Sequence, residues 1–519
     1  MFVIMSDTRT KNSARNIICG FLDKASAIIF PFIVRTIFIK ILGEEYLGLG
    51  SLYQSILQVI NLVDLGFASA ISAALYRPIA EDDFKQIGML LNLYDKLYKI
   101  LSQVILVIGI IVMPFLKYFI GGEPPAGINI YILWLIYLAQ TVFSYFIFAY
   151  RVTLLSAIQR SDISSLIATA VRTTISIVQI ILVIYMHDMV VYAALNAFYT
   201  FMYNLICAYV CKKKYPQYRR CGYADKRTKK LITKNVAALA LQKIGNKLSL
   251  SLDSIVISSF LGLSMVAVYS NYYYVISAIA SFIVLLVSSI TASIGNSIAT
   301  ESVKKNYGDF MKIFMLHTWI VGWCCICFAV LFQDFMRLWM GEKLLLSFAV
   351  VMALIARFYF EQIRKVVLNY KDAIGLWAYD KWRPIIGCAV NIVLNVITVK
   401  YYGVIGVAVS TIIDFAIIEL PWETAVLFKY YFKTSTKQYY GKLLKSFLYT
   451  AFNGALTLLI CSRIPLESVM ALVVKGCICL ILPNLLYVLE MVRDSNFVYA
   501  LDLLKKALNS IGFVKTGNE

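Results

Sequence analysis

The chain has 519 residues, of which 60% are apolar and only 15% charged. With a mean hydropathy of +0.75, against roughly 45–50% apolar residues in an average soluble domain, it reads as a polytopic membrane protein, and a soluble domain, a disordered chain and a nucleic-acid module are excluded. Lysine and arginine number 49 against 29 aspartates and glutamates, so the scarce charge is mostly positive and its placement carries topological information.

A helix needs about 20 apolar residues to cross a bilayer. Blocks of that kind predict spans near 15–38, 47–75, 88–116, 128–150, 162–185 and 190–211, then 234–260, 266–296, 310–333, 345–369, 376–399, 404–428, 443–463 and 467–490. That is fourteen, with twelve as the stricter count. An outer-membrane barrel would instead alternate over about 10 residues per strand, and no such pattern runs through the chain. The first block has no small-residue cleavage site and contains Asp23, Lys24, Pro31 and Arg35, which reads as a retained helix and not a signal peptide.

After the sixth span, residues 212–233 carry Lys212, Lys213, Lys214, Arg219, Arg220, Lys226, Arg227, Lys229 and Lys230 against the single acid Asp225. Such a loop belongs on the cytoplasmic side. A docking patch for an anionic partner is a compatible second reading. Nucleic acid is not expected, because no basic domain with interleaved aromatics surrounds it. Other even-numbered spans end beside Arg77 and Lys85, Arg151 and Arg160, Lys304 and Lys305, Arg364 and Lys371, or Lys429, Lys433 and Lys437. The opposite loops are short and poorer in base, which places both termini in the cytoplasm. The domain organisation expected is an N-terminal lobe over 1–211, a basic linker over 212–233, a C-terminal lobe over 234–428, additional helices over 429–490 and a cytoplasmic tail over 491–519.

The two halves resemble each other. Leu42-Gly43, Tyr53, Ala73 and Ile79-Ala80 align with Leu261-Gly262, Tyr272, Ala292 and Ile298-Ala299 at a constant offset of 219 residues, which also sets Lys24 over Lys243. Duplication of a bundle is a feature of alternating-access carriers.

Charged groups inside apolar spans are expensive and usually face a bundle interior, a wet cavity or one another. Lys24 and Arg35 are close to three helical turns apart, on one side of the first helix and about 16 Å apart along it. Such a column could hold a phosphate or pyrophosphate, while snorkelling to the two membrane faces is the structural alternative. Lys243 and Lys247 stand four apart in the seventh span near Gln242, Asn246 and Asp253, like charges that repel unless water or an anion separates them. Asp23, Asp64, Arg172, Asp253, Asp414 and Glu419 are the other candidates, the acids for ion coupling or plain pairing and Arg172 as a further cation. Glu361 and Lys365 read as an i, i+4 pair. The 35 tyrosines read mostly as interface belts. Cys324, Cys325 and Cys327 read as packing residues, since no second cysteine or histidine cluster completes a metal site. His187 and His317 have no nucleophile motif, and no phosphate-binding loop or dinucleotide fingerprint is present.

The runs Arg35-Thr36-Ile37, Leu42-Gly43-Glu44-Glu45-Tyr46-Leu47-Gly48-Leu49 and Asp64-Leu65-Gly66-Phe67, followed by Gly403-Val404-Ile405-Gly406-Val407-Ala408, resemble the polysaccharide-transport branch of the multidrug/oligosaccharidyl-lipid/polysaccharide flippase superfamily. The resemblance implies an all-α polytopic membrane protein with two six-helix, MATE-like lobes around a central cavity plus two C-terminal helices. It implies a flippase, not an enzyme, that moves undecaprenyl-diphosphate-linked oligosaccharides for O-antigen, capsule or exopolysaccharide synthesis across the bacterial cytoplasmic membrane. Lys24, Arg35, Lys243, Lys247 and Arg172 would then meet the diphosphate or acidic sugars. No cofactor or metal is expected, coupling to Na+ or H+ is left open, and membrane lipids, a polysaccharide polymerase and a chain-length regulator are the expected partners. A cation-coupled multidrug exporter of the same superfamily is the alternative.

Overall fold

A backbone that crosses hydrocarbon must satisfy its N–H and C=O groups internally, which leaves the helix or the closed barrel. In a computed structural model, which describes residues 2–61, 67–223, 251–465, 469–492, 494 and 497–498, the described residues contain helices and no strand. Asp64, Lys243 and Lys247 lie outside the described residues. Among the described residues ten helices are long and apolar enough to span a membrane, or eleven when one bent pair is counted as a single span.

The helices are α1 (Phe2–Leu42), α2 (Glu44–Ile60), α3 (Phe67–Ala80), α4 (Phe84–Val112), α5 (Leu116–Phe119), α6 (Ile130–Phe146), α7 (Ala149–Ala157), α8 (Ser161–Met186) and α9 (Met189–Lys214), then α10 (Ser251–Leu261). They continue with α11 (Leu263–Thr300), α12 (Val303–Met340), α13 (Phe348–Ile374), α14 (Arg383–Tyr402), α15 (Val404–Ile413), α16 (Leu420–Leu427), α17 (Lys437–Cys461) and α18 (Val469–Met491). A π-helical turn, Asp414–Glu419, joins α15 to α16. The fourth expected span is bent by 48° between α6 and α7.

Local chemistry sets the ends. Asp83, Asn129, Asp188 and Ser302 accept hydrogen bonds from backbone N–H groups in the first turns of α4, α6, α9 and α12, satisfying donors that a helix start leaves orphaned. Gly43 (φ 98°) and Gly262 (φ 84°) separate α1 from α2 and α10 from α11, a left-handed conformation that glycine adopts without steric cost. These two glycines are repeat mates, and at the same offset of 219 residues α2 and α4 start where α11 and α12 do.

The chain divides into two compact units, 1–270 and 271–519. In the first, Tyr53 donates to the carbonyl of Ile130 at 2.9 Å and sets its ring edge-on to Trp134, and Trp134 donates to the carbonyl of Gly109. The division falls inside α11, after Ser270. The physical reason is packing: Gly121 N–H donates to Ser258 O, Ser251 donates to Gln58, and Gly48 lets α2 approach the backbone of Leu263. In the second unit α12 is the central helix, packed by α13, α17 and α18. Gly322 sits beneath the Thr450–Tyr487 hydroxyl pair. Tyr53, Tyr94, Tyr272, Tyr439 and Tyr487 are fully buried, so these tyrosines are core residues and not belt residues.

A Cβ at Gly48 would run into the carbonyl of Leu263, whereas one at Gly441 meets nothing within 4 Å. Overpacking of this sort costs about 1–3 kcal/mol. Gly48→Ala is therefore expected to lower the melting temperature of the detergent-solubilised protein, with Gly441→Ala unchanged or slightly more stable in the same thermal scan.

Candidate functional site

In the first unit, α1, α8 and α9 share a polar seam. Asp23 and Ser26 lie one helical turn apart on α1 and meet Arg172 of α8. One Nη of Arg172 donates to Asp23 Oδ1 (2.7 Å), Asp23 O (3.0 Å) and Ser26 Oγ (2.6 Å), and the other donates to Tyr199 Oη on α9 (3.3 Å). The Tyr199 and Tyr203 rings lie nearly parallel, with centroids 6.3 Å apart. Farther along, Gln179 donates to Asn196 at 3.0 Å. Helical spacing keeps Tyr192, Asn196, Tyr199 and Tyr203 on one face of α9. Arg172, expected as a substrate cation, thus has its charge balanced by Asp23. Lys24 is exposed and makes no ion pair among the described residues, so it is the uncompensated cation at this level of α1.

Arg35 lies three turns along α1 and donates to Ser270 Oγ at 2.5 Å; Ser51 Oγ donates to the same oxygen at 3.3 Å. Ser51 and Ser270 are repeat mates at the offset of 219. Asp253 is buried and accepts from Tyr269 Oη at 3.4 Å.

The second unit holds a closed network of six buried charges. Arg364 of α13 grips Glu423 with Nε (3.0 Å) and Nη2 (2.6 Å), and also meets Glu419. Arg383 of α14 pairs with Glu423 (2.7 Å), with Glu419 and, through Nε, with Asp380 (3.1 Å), which also binds Lys371. Three cations face three carboxylates, all almost fully buried. The paired planar geometry of arginine and carboxylate is the strong form of this contact. The π turn brings Asp414 and Glu419 alongside Gly387, where a Cβ would lie 2.7 Å from an oxygen of each. Next to it, Asn391 donates to Thr411 and Asn395 to Asn391. Glu419 is therefore a paired acid.

Other acids also hold elements together. Asp162 at the start of α8 binds Arg160 (3.0 Å) and Arg15 (2.8 Å), and Asp95 of α4 binds Arg220 (2.5 Å) and Lys99 (2.9 Å). The start of the basic linker is thereby strapped onto α4, with Cys221 N–H donating to Gly88 O and Asn92 to Gly222 O. Arg160, in the loop before α8, has its pKa raised by the hydrogen bond to Asp162. His317 is a buried residue satisfied by the Gln362 carbonyl at 2.8 Å. Among the described residues the cysteines are unbridged and no group of three metal-ligating side chains occurs.

Sequence reasoning passed over Glu423, Arg383 and Asp380 and read Lys371 only as a base at a span end. Glu419 and Glu423, four apart in an apolar stretch, were the available signal, since an i, i+4 acid pair in a span demands a cation partner. Removing one member of a buried pair costs about 3–5 kcal/mol because the other charge is stranded. Arg364→Ala is expected to lower folded yield and melting temperature sharply in size-exclusion and thermal assays, while Arg77→Ala, in an exposed pair with Glu81, leaves both unchanged.

The fold is that of known membrane transporters. It is similar to the lipid II flippase MurJ in an inward closed conformation, with a TM-score of 0.65 and 17% identity over 92% of this chain and 98% of that one. It is similar to an outward-facing multidrug resistance MATE family transporter of the MOP superfamily, with a TM-score of 0.59 and 15% identity over 80% of this chain and 94% of that one. An inward-facing MATE family transporter gives a TM-score of 0.58 and 16% identity over 76% and 93% of the two chains. No curated protein matches the sequence. A family model described as "Polysaccharide biosynthesis protein" matches residues 13–292, more than half of the chain, so this multi-pass membrane protein belongs to the polysaccharide biosynthesis protein family.

Proposed function

We propose that the protein is a flippase that carries undecaprenyl-diphosphate-linked oligosaccharide units across the bacterial cytoplasmic membrane by alternating access, for cell-surface polysaccharide synthesis. The observation that carries this reading is the charge balance along α1. Arg172 is paired with Asp23, while Lys24 is exposed and in no ion pair among the described residues and Arg35 donates to Ser270. Two cations about 16 Å apart on one helix suit a substrate whose anionic head group must leave water. A diphosphate is prohibitively costly to move through hydrocarbon, and a hydrated basic path lowers that cost. The work is binding and translocation, with no bond made or broken. Membership of the polysaccharide biosynthesis protein family and the transporter fold support the same reading.

On this reading both termini face the cytoplasm, and a polysaccharide polymerase and a chain-length regulator act on the delivered unit. Coupling to Na+ or H+ would use acids outside the closed network, with Asp253 and Asp414 as the candidates. Lys243 and Lys247, through the repeat, would add cations from the second half.

The test is leaflet transfer of a fluorescent undecaprenyl-diphosphate glycan in proteoliposomes. The native chain is expected to transfer it, and Lys24→Ala or Arg35→Ala to slow transfer by roughly tenfold or more, the value of one hydrogen bond to a charged group. Folded protein that moves no glycan but moves small amphipathic cations would replace this reading with multidrug export.

A further inference from the structure

The second unit contains a pocket remote in character from the polar seam of α1. It lies between α12, α17 and α18 and is lined by Lys442, Lys445, Ser446, Tyr449, Glu490 and Asp494, with a volume of about 150 Å³. A cavity of that size has room for a small polar head group.

Its charges are arranged in an asymmetric way. Lys442 and Asp494 neutralise each other at 2.8 Å. Lys445 makes no ion pair among the described residues and sits 5.4 Å from the Tyr449 ring centre. Glu490 has a neutral partner, the Asn453 amide, at 3.1 Å. The Lys445 ammonium and the Glu490 carboxylate both face the pocket without forming a salt bridge to each other. Ser446 also lines the pocket; it is 1% exposed and its Oγ is buried without a hydrogen-bond partner. A buried hydroxyl in that condition is destabilising and is relieved by a ligand that supplies an acceptor or donor.

The flanks are apolar. Leu444 and Leu448 on α17, and Leu485, Leu489 and Val492 around the end of α18, are all exposed. Side chains of this kind on membrane-spanning helices face acyl chains. A small pocket lined by a lysine and a glutamate that make no ion pair among the described residues, with hydrocarbon-facing walls, fits an amphiphile with a short zwitterionic head.

We infer that this pocket binds a phospholipid whose head group joins a phosphate ester to a primary ammonium, with Lys445 and Ser446 on the phosphate and Glu490 on the ammonium. A primary ammonium has three N–H donors to offer the carboxylate, whereas a quaternary one has none. The site is separate from the transported substrate, and its test does not depend on transport.

The experiment titrates the delipidated full-length chain in detergent with dioctanoyl phosphatidylethanolamine, phosphatidylcholine and phosphatidylglycerol, and with free phosphoethanolamine, reading lipid retention by native mass spectrometry. The ethanolamine lipid is expected to bind about tenfold more tightly than the other two lipids, the scale of one charge-assisted hydrogen bond. Lys445→Gln, at an exposed position that should not perturb folding, is expected to weaken it by a similar factor. Glu490→Gln should abolish the preference for ethanolamine over glycerol. Ser446→Ala should weaken it less; if that variant does not fold, the other two decide. Equal affinity for the three lipids, or unchanged ethanolamine binding in Lys445→Gln and Glu490→Gln, overturns the inference. Free phosphoethanolamine binding as tightly as the lipid overturns it in favour of a soluble ligand.

Discussion

A membrane interior tolerates charge only when it is compensated, and the fold depends on how that condition is met. In the second unit three basic and three acidic side chains close on one another in a dry network that ties α13, α14 and α16. In the first unit Arg172 and Asp23 tie α8 to α1, Asp162 secures the start of α8 to basic partners, and Asp95 does the same midway along α4. Such pairs are weak contributors to net stability, yet each is costly to break from one side. They therefore fix which helices neighbour which. Against that background Lys24, exposed and in no ion pair among the described residues, stands apart on α1.

The sequence made the spans legible because hydropathy is read one helix at a time. It also disclosed the duplication, and the structure extends it: Gly43 and Gly262 both adopt positive φ, and Ser51 meets Ser270, its own counterpart. The short motifs shared with the polysaccharide-transport branch pointed to the same family that the comparison with family models identifies. What a single strand of sequence did not disclose is pairing across helices. Arg364 and Glu423 stand 59 residues apart, and nothing local marks them as partners. The π turn was equally hidden, since the segment 414–419 has an ordinary apolar helical composition apart from its two acids.

The same limit explains the unit boundary and the tyrosines. Charge density singles out residues 212–233 as a loop, but packing decides which body a helix joins, and α10 with the first turns of α11 joins the first. Tyrosine is amphipathic and equally suited to an interface or to a core with a partner for its hydroxyl. Tyr53 and Tyr272, repeat mates, take the second course, each with a hydrogen bond inside its own unit.

The closed network has a consequence for biogenesis. Helix α13 carries Arg357, Arg364, Lys365 and Lys371 and is absent from the helices apolar enough to span a membrane by composition. A basic residue at the centre of an inserting helix carries a penalty of about 2.5–3.5 kcal/mol. The acids that neutralise Arg364 lie 55 and 59 residues later in the chain, which at about 5–20 residues per second is roughly 3–12 s of synthesis. Until then Arg364 has neither of these acidic partners, and the network closes only once α16 has been made.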